Sequence, residues 1–452
     1  MSLAGPQPVS SNPVLRLAND LRAERAARVP FPVGETNFSA SRTRRMLVDP
    51  LGLLLEGYER HGPCYTLRIF HGRTVFMIGP EANHHMLVSH AKDFSWREGH
   101  MGDLIPLLGD GLLTIDGDFH RRSRKIMLPA FHHEKIAALR DVMEDEIEAA
   151  VRGWRAGDEL DIYGWTRRLA MRIALRALFG VDPERAAGRL DATEQFEVAL
   201  GFWGEPYIWQ VMRGPFTPWA RMQRARKELD TLIYEEVDSR RASGERGEDL
   251  LSLLLDASDE EGRTLSKQHI RDEVMTLLFA GHDTTTSTIA FLFHELAGAP
   301  EWADRAAGDA DDLELCLDET LRRFPAAWIG PRKAMVDYEF AGQSVPAGAF
   351  VNYSSWVSHH LPDVWDEPFA FRPERFAPGN REQIPKGAYV PFGGGSRTCI
   401  GMRFGQQEIR LIASRILRDF RLDLPDGHVM GIRQTPTIGP IGGLPVRVRA
   451  AA

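Results

Sequence analysis

The sequence has few cysteines, no excess of positive charge and no long apolar run, and each shortage excludes a class of protein. Its 452 residues include three cysteines, Cys64, Cys316 and Cys399, too few for a disulfide framework, so we expect a reducing compartment. Lys and Arg number 55 against 63 Asp and Glu, a formal charge of −8 that does not favour a nucleic-acid partner. No window approaches the ~18 uninterrupted apolar residues that cross a bilayer, which predicts a soluble, cytoplasmic protein without a transmembrane anchor.

The apolar and charged fractions, 43% and 26%, are those of an ordinary globular protein. Between about residues 80 and 325, apolar positions recur at three- and four-residue spacing, as in 136–152 and 166–179, which predicts successive helices. Alternating segments at 65–70 and 74–78, around His71-Gly72, predict a hairpin, and 338–340, 348–353 and 445–448 predict further strands. We therefore expect a mainly α-helical fold with a smaller β-rich lobe.

A long helix predicted from about Ser266 to Gly298 has an unusual middle, Ala-Gly-His-Asp-Thr-Thr-Thr at 280–286. A glycine and three threonines weaken a helix, and a threonine hydroxyl can bond the carbonyl four residues back and bend it. The carboxylate of Asp283 has apolar residues on both flanks. Residues that disfavour a helix but occur in its middle indicate a functional site.

The strongest chemical signal is the segment 392–401, Phe-Gly-Gly-Gly-Ser-Arg-Thr-Cys-Ile-Gly. Cys399 ends this glycine-rich loop just before a helical pattern at 402–417, and the start of a helix stabilises a thiolate. Because no CxxC or HxxxH pair accompanies it, a single soft ligand favours axial haem ligation over tetrahedral zinc. The glycines would let a flat cofactor approach, and Arg397 could pair with a cofactor carboxylate. A buried structural cysteine is the alternative.

In these residues the sequence resembles the cytochrome P-450 superfamily of haem-thiolate monooxygenases, of the soluble bacterial type. Phe392, Gly395, Arg397, Cys399 and Gly401 occupy the fixed positions of that family's haem-binding signature. The resemblance implies one domain over residues 1–452 with the cytochrome P-450 fold, a triangular helical prism with a long central helix over the haem. Its parts would be an N-terminal extension (1–30), a β-rich lobe (about 31–80 and 335–355), a helical region (81–325) that contains the oxygen-activating helix 266–298, and the haem-ligand loop 392–401.

The resemblance also implies roles for other residues. Cys399 would ligate the iron of haem b, while Asp283 and Thr284 would relay protons to the co-substrate dioxygen. The Glu319–Arg322 pair matches the family's ExxR motif, with Arg375 as its partner in a buried structural network, although a surface i, i+3 ion pair would also explain ExxR alone. The residues expected to contact the haem or its propionates are His120, Arg124, Ala280, Arg332, Phe392, Arg397 and Gly401.

The sequence identifies the substrate pocket less clearly than the haem-binding residues. The resemblance places it along 99–113, 196–219, 277–280, 326–329 and 438–441, with candidate contacts at Leu104, Leu108, Leu277, Trp328 and Ile441. Their apolar character predicts an apolar small-molecule substrate of the fatty acid, steroid or terpenoid class, although ordinary core packing explains such residues as well. Arg213 is a candidate anchor for a substrate carboxylate.

Basic side chains could dock an acidic electron donor. In the family such residues lie on the helix that here carries Arg121, Arg122 and Lys125, and near the cysteine loop, here Arg403 and Arg410; a solvated helix face is the alternative. No fused flavin or iron–sulfur module is recognisable. We therefore expect electrons from NAD(P)H through a ferredoxin or flavodoxin-type protein and its reductase, and a monomeric enzyme.

The expected reaction inserts one atom of dioxygen into a C–H or C=C bond, by hydroxylation or epoxidation. Two alternatives remain open, a haem-thiolate peroxygenase or isomerase that works without redox partners and a non-catalytic haem- or ligand-binding protein. Asp283 and Thr284 argue against the first alternative, since peroxide supplies oxygen that is already reduced and needs no proton relay of this kind. A polar helix kink without chemistry is the alternative interpretation of these two residues, and His282 receives no role.

Overall fold

The computed structural model describes residues 13–180, 192–247, 249–257, 262 and 264–451, so residues 1–12 of the predicted N-terminal extension lie outside the described residues. No helix in these ranges is long and apolar enough to cross a membrane. The α-helices are α1 Pro13–Arg25, α2 Ala40–Val48, α3 Pro50–His61, α4 Pro80–His84, α5 Ile105–Leu108, α6 Gly117–Met127, α7 His133–Ala138, α8 Arg140–Val151, α9 Ile162–Ile173, α10 Ala192–Gly201, α11 Tyr207–Val211, α12 Pro218–Ser243, α13 Leu250–Asp256, α14 Lys267–Gly298, α15 Pro300–Gly308, α16 Ala310–Arg323, α17 Ser355–Ser358 and α18 Met402–Asp419.

The strands are short and form four sheets within the described ranges. A six-stranded sheet has the order β1-β2-β3-β9-β6-β4, a three-stranded sheet the order β10-β13-β5, and two strand pairs are β7-β8 and β11-β12. Their bounds are β1 Gly34–Glu35, β2 Cys64–Ile69, β3 Gly72–Met77, β4 Phe94–Ser95, β5 Glu159–Asp161, β6 Gly330–Ala334, β7 Tyr338–Phe340, β8 Gln343–Val345, β9 Phe350–Tyr353, β10 Phe420–Asp423, β11 Ile432–Arg433, β12 Gly439–Pro440 and β13 Pro445–Ala450.

The described chain packs as two compact units. The first, which we call the helical unit, comprises residues 104–317 and 400–451. The second, the sheet unit, comprises residues 13–103 and 318–399 and contains the six-stranded sheet and the β7-β8 pair. Each unit is described by itself below.

Helix α14 forms the core of the helical unit. It packs against α5, α9, α12, α15 and α18, and most of its side chains are buried on every face. A helix buried on every face cannot rely on one apolar stripe, and α14 buries polar side chains such as Asp272 and Asp283 as well as apolar ones. The Ser266 hydroxyl caps its first turn by accepting the His269 backbone N–H at 3.1 Å. In its polar middle, His282 and Asp283 are buried among other protein groups, whereas Thr284 is half-buried.

The sheet unit is built on the β2–β3 hairpin, which pairs from Cys64 opposite Met77 to Ile69 opposite Gly72. Apolar side chains of the central strands, among them Val75 and Val351, form its core with Leu87. Strands β3 and β9 run parallel, and β6 pairs antiparallel with β9. Through these pairings, β3, β9 and β6 are neighbouring strands of one continuous sheet.

Most predicted elements are present, with shifted ends. The hairpin turn lies at Phe70-His71, where Phe70 adopts a left-handed φ of 52°, one residue earlier than predicted. The helix predicted at 136–152 is interrupted at Leu139 into α7 and α8, and the one at 166–179 starts at Ile162 and ends in a π-helical turn, Ala174–Leu178. Strands β4 and β6 lie outside the ranges predicted for the β-rich lobe.

Candidate functional site

The cysteine loop of the sheet unit, residues 392–399, is closed by hydrogen bonds of its own backbone. The Cys399 N–H donates to the Phe392 carbonyl at 3.0 Å, and the Thr398 N–H donates to the Gly395 carbonyl at 3.2 Å. Cys399 is exposed, whereas Cys64 and Cys316 are buried. Two residues after Cys399 the chain reaches Gly401, followed directly by α18. The loop thus ends in an exposed cysteine immediately before a helix start.

Two glycines give the loop its path. Gly393 and Gly395 have φ values of 69° and 62°, in the left-handed region that side chains disfavour. A Cβ atom on Gly395 would lie 2.2 Å from the carbonyl oxygen of Leu87, in the π-helical turn His85–Ser89. Any side chain at this position would push the loop off that turn. The glycine-rich composition is therefore required by backbone conformation and close packing.

A buried charge network lies beside this loop in the sheet unit. Glu319 and Arg322, both fully buried in the last turn of α16, form a bidentate pair with N–O distances of 2.7 and 2.8 Å. Arg375 approaches the same carboxylate at 3.4 Å, and the Arg372 backbone N–H donates to it at 3.0 Å. Arg322 also donates to the carbonyl of His359 at 2.7 Å. The structure thus brings the three predicted network residues, Glu319, Arg322 and Arg375, together. Salt bridges join their side chains, and hydrogen bonds to backbone groups hold Glu319 and Arg322 in place.

Two arginines share one tryptophan ring in the same unit. The guanidinium carbon of Arg332 lies 3.5 Å from the centroid of the Trp96 ring, and that of Arg397 lies 4.9 Å from it. Arg332 also approaches the ring of Tyr353 at 5.5 Å and is almost fully buried. Cation–π contacts of this kind hold guanidinium groups in place. The result is a local concentration of positive charge suited to a ligand that carries carboxylates.

In the helical unit, the polar middle of α14 stays helical. The Thr284 hydroxyl donates to the Ala280 carbonyl at 2.6 Å, and the Thr288 hydroxyl donates to the Thr284 carbonyl at 2.9 Å. The predicted back-bonding therefore occurs without ending the helix. Thr284 and Ala280 are half-buried, whereas Asp283 is fully buried.

Asp283 is surrounded by donors that lie outside α14. Its Oδ1 is 2.7 Å from Nη1 of Arg167 and 3.3 Å from Nη2 of Arg433, and the Thr437 hydroxyl donates to its Oδ2. Although burial by itself raises the pKa of Asp283, Arg433, Arg167 and Thr437 together lower this pKa below its ordinary value. The carboxylate is therefore held charged at neutral pH. The acid and the adjacent Thr284 hydroxyl have separate partners.

Arg167 connects Asp283 to a more exposed carboxylate. Its Nε and Nη2 atoms form a bidentate pair with Glu197, both at 2.6 Å, while its Nη1 atom contacts Asp283 and the Tyr163 hydroxyl. The Glu197 side chain is 37% exposed. His282, on α14, bonds the Arg167 carbonyl at 2.9 Å, and burial lowers the pKa of its imidazole, which favours the neutral form. A hydrogen-bonded chain therefore runs from the partly exposed Glu197, through the Arg167 guanidinium, to the buried Asp283.

The basic residues predicted on α6 differ in how far they are buried. His120 is buried and Arg124 half-buried, while Arg121, Arg122 and Lys125 are exposed, as a solvated helix face predicts. Arg121 is already paired with Asp118 in its own helix. On α18, Arg403 is exposed, and Arg410 pairs with Glu314 at 3.2 Å. A docking role for these residues stays a prediction.

The candidate substrate residues lie in different surroundings. Leu104, Leu108 and Leu277 are buried in the helical unit, where α5 packs against α14. Trp328 is buried in the sheet unit, with its ring 5.9 Å from that of Trp356 in an edge-on contact. Ile441 is 65% exposed in the turn after β12. Arg213 is exposed and stacks on Trp219 at 4.0 Å, so this cation already has an aromatic partner.

The donor set of the sheet unit fits an iron porphyrin. One exposed sulfur ends a loop that has no side chains at 393–395, and two cations near Trp96 suit two ligand carboxylates. Within the described ranges, no group of three or more His, Cys, Asp or Glu side chains is arranged to hold a metal ion. A metal carried by its own macrocycle needs only one ligand from the protein. The class of protein that these features fit is a haem-thiolate protein.

Comparison with known proteins identifies the family. The cytochrome P-450 family model matches residues 53–312 and 311–439, and the chain belongs to this family. Cyclooctat-9-en-7-ol 5-monooxygenase of Streptomyces melanosporofaciens is 32% identical over 394 residues, 81% of this chain and 84% of that protein. Cyclooctatin synthase of the same organism is 30% identical over 451 residues, 90% of this chain and 96% of that protein. The structure of retinoic acid bound cyanobacterial CYP120A1 has a TM-score of 0.83 and 26% identity, over 94% of this chain and all of that one.

These similarities confirm the predicted fold class, mainly α-helical with a smaller β-rich part, and the enzyme class. The chain is a cytochrome P-450 monooxygenase, and its family implies haem iron as the cofactor. The relatives with named organisms are bacterial.

Several groups around these positions were not predicted from the sequence. Trp96, which organises Arg332 and Arg397, follows β4 in a Phe-Ser-Trp-Arg segment whose only signal is an aromatic residue beside a cation. Arg167 and Arg433 lie 116 and 150 residues from Asp283 in the chain, so no local pattern connects them to it.

Proposed function

We propose that the enzyme hydroxylates or epoxidises an apolar small molecule, with Cys399 as the iron ligand and Asp283 and Thr284 as the proton relay. The observation that carries this proposal is the exposed Cys399 at the end of a loop whose backbone is fixed by the Phe392 carbonyl and by Gly395. Thiolate-ligated haem supplies the chemistry, in which dioxygen, two electrons and two protons convert a C–H or C=C bond into a C–O bond and release one water.

Residues of the sheet unit would bind and orient the haem. Cys399 would donate its sulfur, and the nearby helix start favours the thiolate over the thiol. Arg332 and Arg397 would bind the propionates, and Trp96 keeps both guanidinium groups in place before the haem arrives. Phe392 is the further haem contact that we propose in this unit.

Asp283 and Thr284 would move and hold protons. The Thr284 hydroxyl, which donates to the Ala280 carbonyl, can turn to donate to oxygen or to water, because a hydroxyl rotates at little cost. Asp283 is charged at neutral pH and therefore accepts a proton before it can give one. When it is protonated, Arg167 keeps Glu197 as a bidentate partner, so the guanidinium is never left without a counter-charge. Glu197 is the partly exposed end through which protons would enter.

The substrate class that we propose to test first is terpenoid. Two relatives carry the names cyclooctat-9-en-7-ol 5-monooxygenase and cyclooctatin synthase, and a structural neighbour holds retinoic acid, an isoprenoid acid. Within the helical unit, we propose the apolar side chains of Leu104, Leu108 and Leu277 as contacts for such a molecule. Steroids and fatty acids share this apolar character and serve as comparison ligands.

Electrons would come from NAD(P)H through a separate ferredoxin or flavodoxin-type protein and its reductase. An acidic donor would be attracted by the exposed Arg122, Lys125 and Arg403. We propose that the protein is monomeric and acts in the cytoplasm.

The test is turnover of a panel of terpenoids, steroids and fatty acids under isotopically labelled dioxygen, with a surrogate ferredoxin, its reductase and NADPH. The proposal predicts a product that carries one labelled oxygen and consumption of NADPH. Product formed from peroxide alone, with none from the electron-transfer system, would indicate the peroxygenase alternative. A ligand-induced spectral change without any product in either system would indicate a binding protein.

A further inference from the structure

His359 uses both ring nitrogens to join α16 to the start of the cysteine loop. Its Nδ1 lies 2.9 Å from the carbonyl oxygen of Arg322, and its Nε2 lies 2.9 Å from the backbone nitrogen of Val390. A carbonyl can only accept and a backbone N–H can only donate, so the partners require a proton on Nδ1 and a lone pair on Nε2. The imidazole is completely buried within the sheet unit.

His359 and Arg322 are joined by two hydrogen bonds, one donated by each residue. The Arg322 guanidinium donates to the His359 carbonyl at 2.7 Å, while the His359 ring donates to the Arg322 carbonyl. Arg322 is in turn fixed by the bidentate pair with Glu319. The ring orientation of His359 is therefore fixed by Arg322, which Glu319 itself holds in place.

The contact at Val390 continues directly into the cysteine loop. The Val390 carbonyl accepts the Gly393 N–H at 3.1 Å, and the Phe392 carbonyl accepts the Cys399 N–H at 3.0 Å. Tyr389, the preceding residue, donates its hydroxyl to the Asp318 carboxylate at 2.9 Å, and its ring lies 5.5 Å from that of His359. The two residues that lead into the loop are thus connected to α16, Tyr389 directly and Val390 through the ring of His359.

We propose that His359 is a positioning residue for the cysteine ligand: its neutral imidazole transmits the position of the Glu319–Arg322 pair to the backbone of the loop that carries Cys399. This inference rests on the proposed role of Cys399. Burial, assisted by the charge of Arg322, lowers the pKa of His359 to about 3, which keeps the ring neutral throughout the ordinary pH range. Protonation would place a second ring N–H against the Val390 N–H and break the connection.

The neighbouring His360 provides a matched control. It is also buried, and burial lowers its pKa to about 3 as well. Its Nδ1 bonds the carbonyl of Trp356, in its own turn of chain, at 2.8 Å. The two histidines therefore share burial and charge state, but the His359 ring bonds the cysteine loop and the His360 ring bonds its own turn.

The experiment compares His359→Asn, His359→Gln and His360→Asn with the wild-type holoenzyme. An asparagine amide can replace Nδ1 but not Nε2, whereas the glutamine oxygen reaches the place of Nε2 and can accept the Val390 N–H. We measure amide hydrogen exchange at Val390 and the fraction of the reduced, carbon monoxide-bound protein that keeps the red-shifted thiolate absorption during incubation.

The proposal predicts that His359→Asn speeds Val390 exchange and loss of the thiolate band at least about tenfold, with exchange following the free energy of local opening. His359→Gln restores both, and His360→Asn changes neither, even where it lowers overall stability. Unchanged exchange in His359→Asn, equal effects of His359→Asn and His360→Asn, or failure of His359→Gln to fold or to restore the bond would overturn the proposal. Absence of the thiolate band in the wild type would instead overturn the role of Cys399, and the exchange result would still report on the anchor.

Discussion

Two buried carboxylates in this protein, Glu319 and Asp283, are both fully inaccessible and both paired with arginine, but their partners differ in kind. Glu319 has a bidentate arginine that is itself completely buried, a second arginine and a backbone N–H. Asp283 has two arginines, one of which also binds the partly exposed Glu197, and a hydroxyl from Thr437. Every partner of Glu319 belongs to the same buried network, whereas an arginine partner of Asp283 has a second carboxylate, Glu197, to pair with.

The difference teaches which buried charges can take part in chemistry. A buried pair whose partners are all fixed holds the chain in one arrangement, and changing its protonation would leave arginine without a counter-charge. A carboxylate whose arginine has an alternative partner can be protonated at a lower cost. Glu319 is therefore suited to hold the cysteine loop and Asp283 to relay protons, and the predictions below test this distinction from the largest effect to the smallest.

Replacement of Arg322 by Ala should have the largest effect, because it leaves Glu319 buried without its bidentate partner. We expect a loss of about 3–5 kcal/mol in the free energy of unfolding, measured by urea denaturation. The control is Arg140→Ala, which removes an exposed i, i+4 pair with Glu144 and should cost less than about 1 kcal/mol. Equal losses in the two variants would show that the Glu319 network is not the fixed structure described above.

Asp283→Asn should destabilise less, by about 1–3 kcal/mol at pH 7, because Arg167 keeps Glu197 and Arg433 is partly exposed. The pKa of Asp283 is lowered on folding, so its contribution is fully present above the ordinary value of 3.8. It is lost as the pH falls below that value through the lower folded-state pKa. Urea unfolding at several pH values should therefore show a wild-type advantage that is constant above about pH 5 and shrinks below about pH 4. An advantage that grows on acidification would contradict a charged Asp283.

Thr284→Ala should uncouple oxygen consumption from product formation rather than unfold the protein. The product formed per dioxygen consumed should fall at least about tenfold, since positioned proton donors typically contribute that much or more. Thr288→Ala is the matched control, because its hydroxyl makes the same bond to a carbonyl four residues back. Oxygen uptake and product are measured together with the electron-transfer system. Normal coupling in Thr284→Ala would remove this residue from the relay.

Glu197→Gln should have the smallest effect. The amide still accepts from Arg167 but carries no charge, and a partly exposed pair contributes up to about 1 kcal/mol, so product formation should slow by up to about fivefold with a larger solvent isotope effect. Glu205→Gln, which changes a surface partner of Arg221, should leave rate and isotope effect unchanged. Identical isotope effects in the two variants would mean that Glu197 is not the entrance for protons.

The sequence predicted the features that depend on neighbouring residues. The glycine-rich loop, the unbroken run of α14 and the β2–β3 hairpin all rest on patterns within a few tens of residues, and each is found close to its expected bounds. The ExxR pair could be located because its two members lie one helical turn apart.

Partners that are distant in the chain could not be predicted in this way. Thr437 and Asp283 are 154 residues apart, and His359 and Val390 are connected by a bond from a ring to a backbone amide. Neither contact produces a recognisable pattern among neighbouring residues. From the sequence alone, an arginine such as Arg167 looks the same whether it lies on a solvated helix face or in a buried ion pair. These contacts exist only after tertiary packing has chosen which polar groups are desolvated together.

The most direct test of the central claim is the absorption spectrum of the purified, reduced protein with carbon monoxide, for the wild type and Cys399→Ser. The proposed thiolate ligation predicts a strongly red-shifted Soret band in the wild type and its loss in Cys399→Ser. A wild-type band at the position of histidine-ligated haem, or a red-shifted band that survives in Cys399→Ser, would contradict the assignment of Cys399 as the iron ligand.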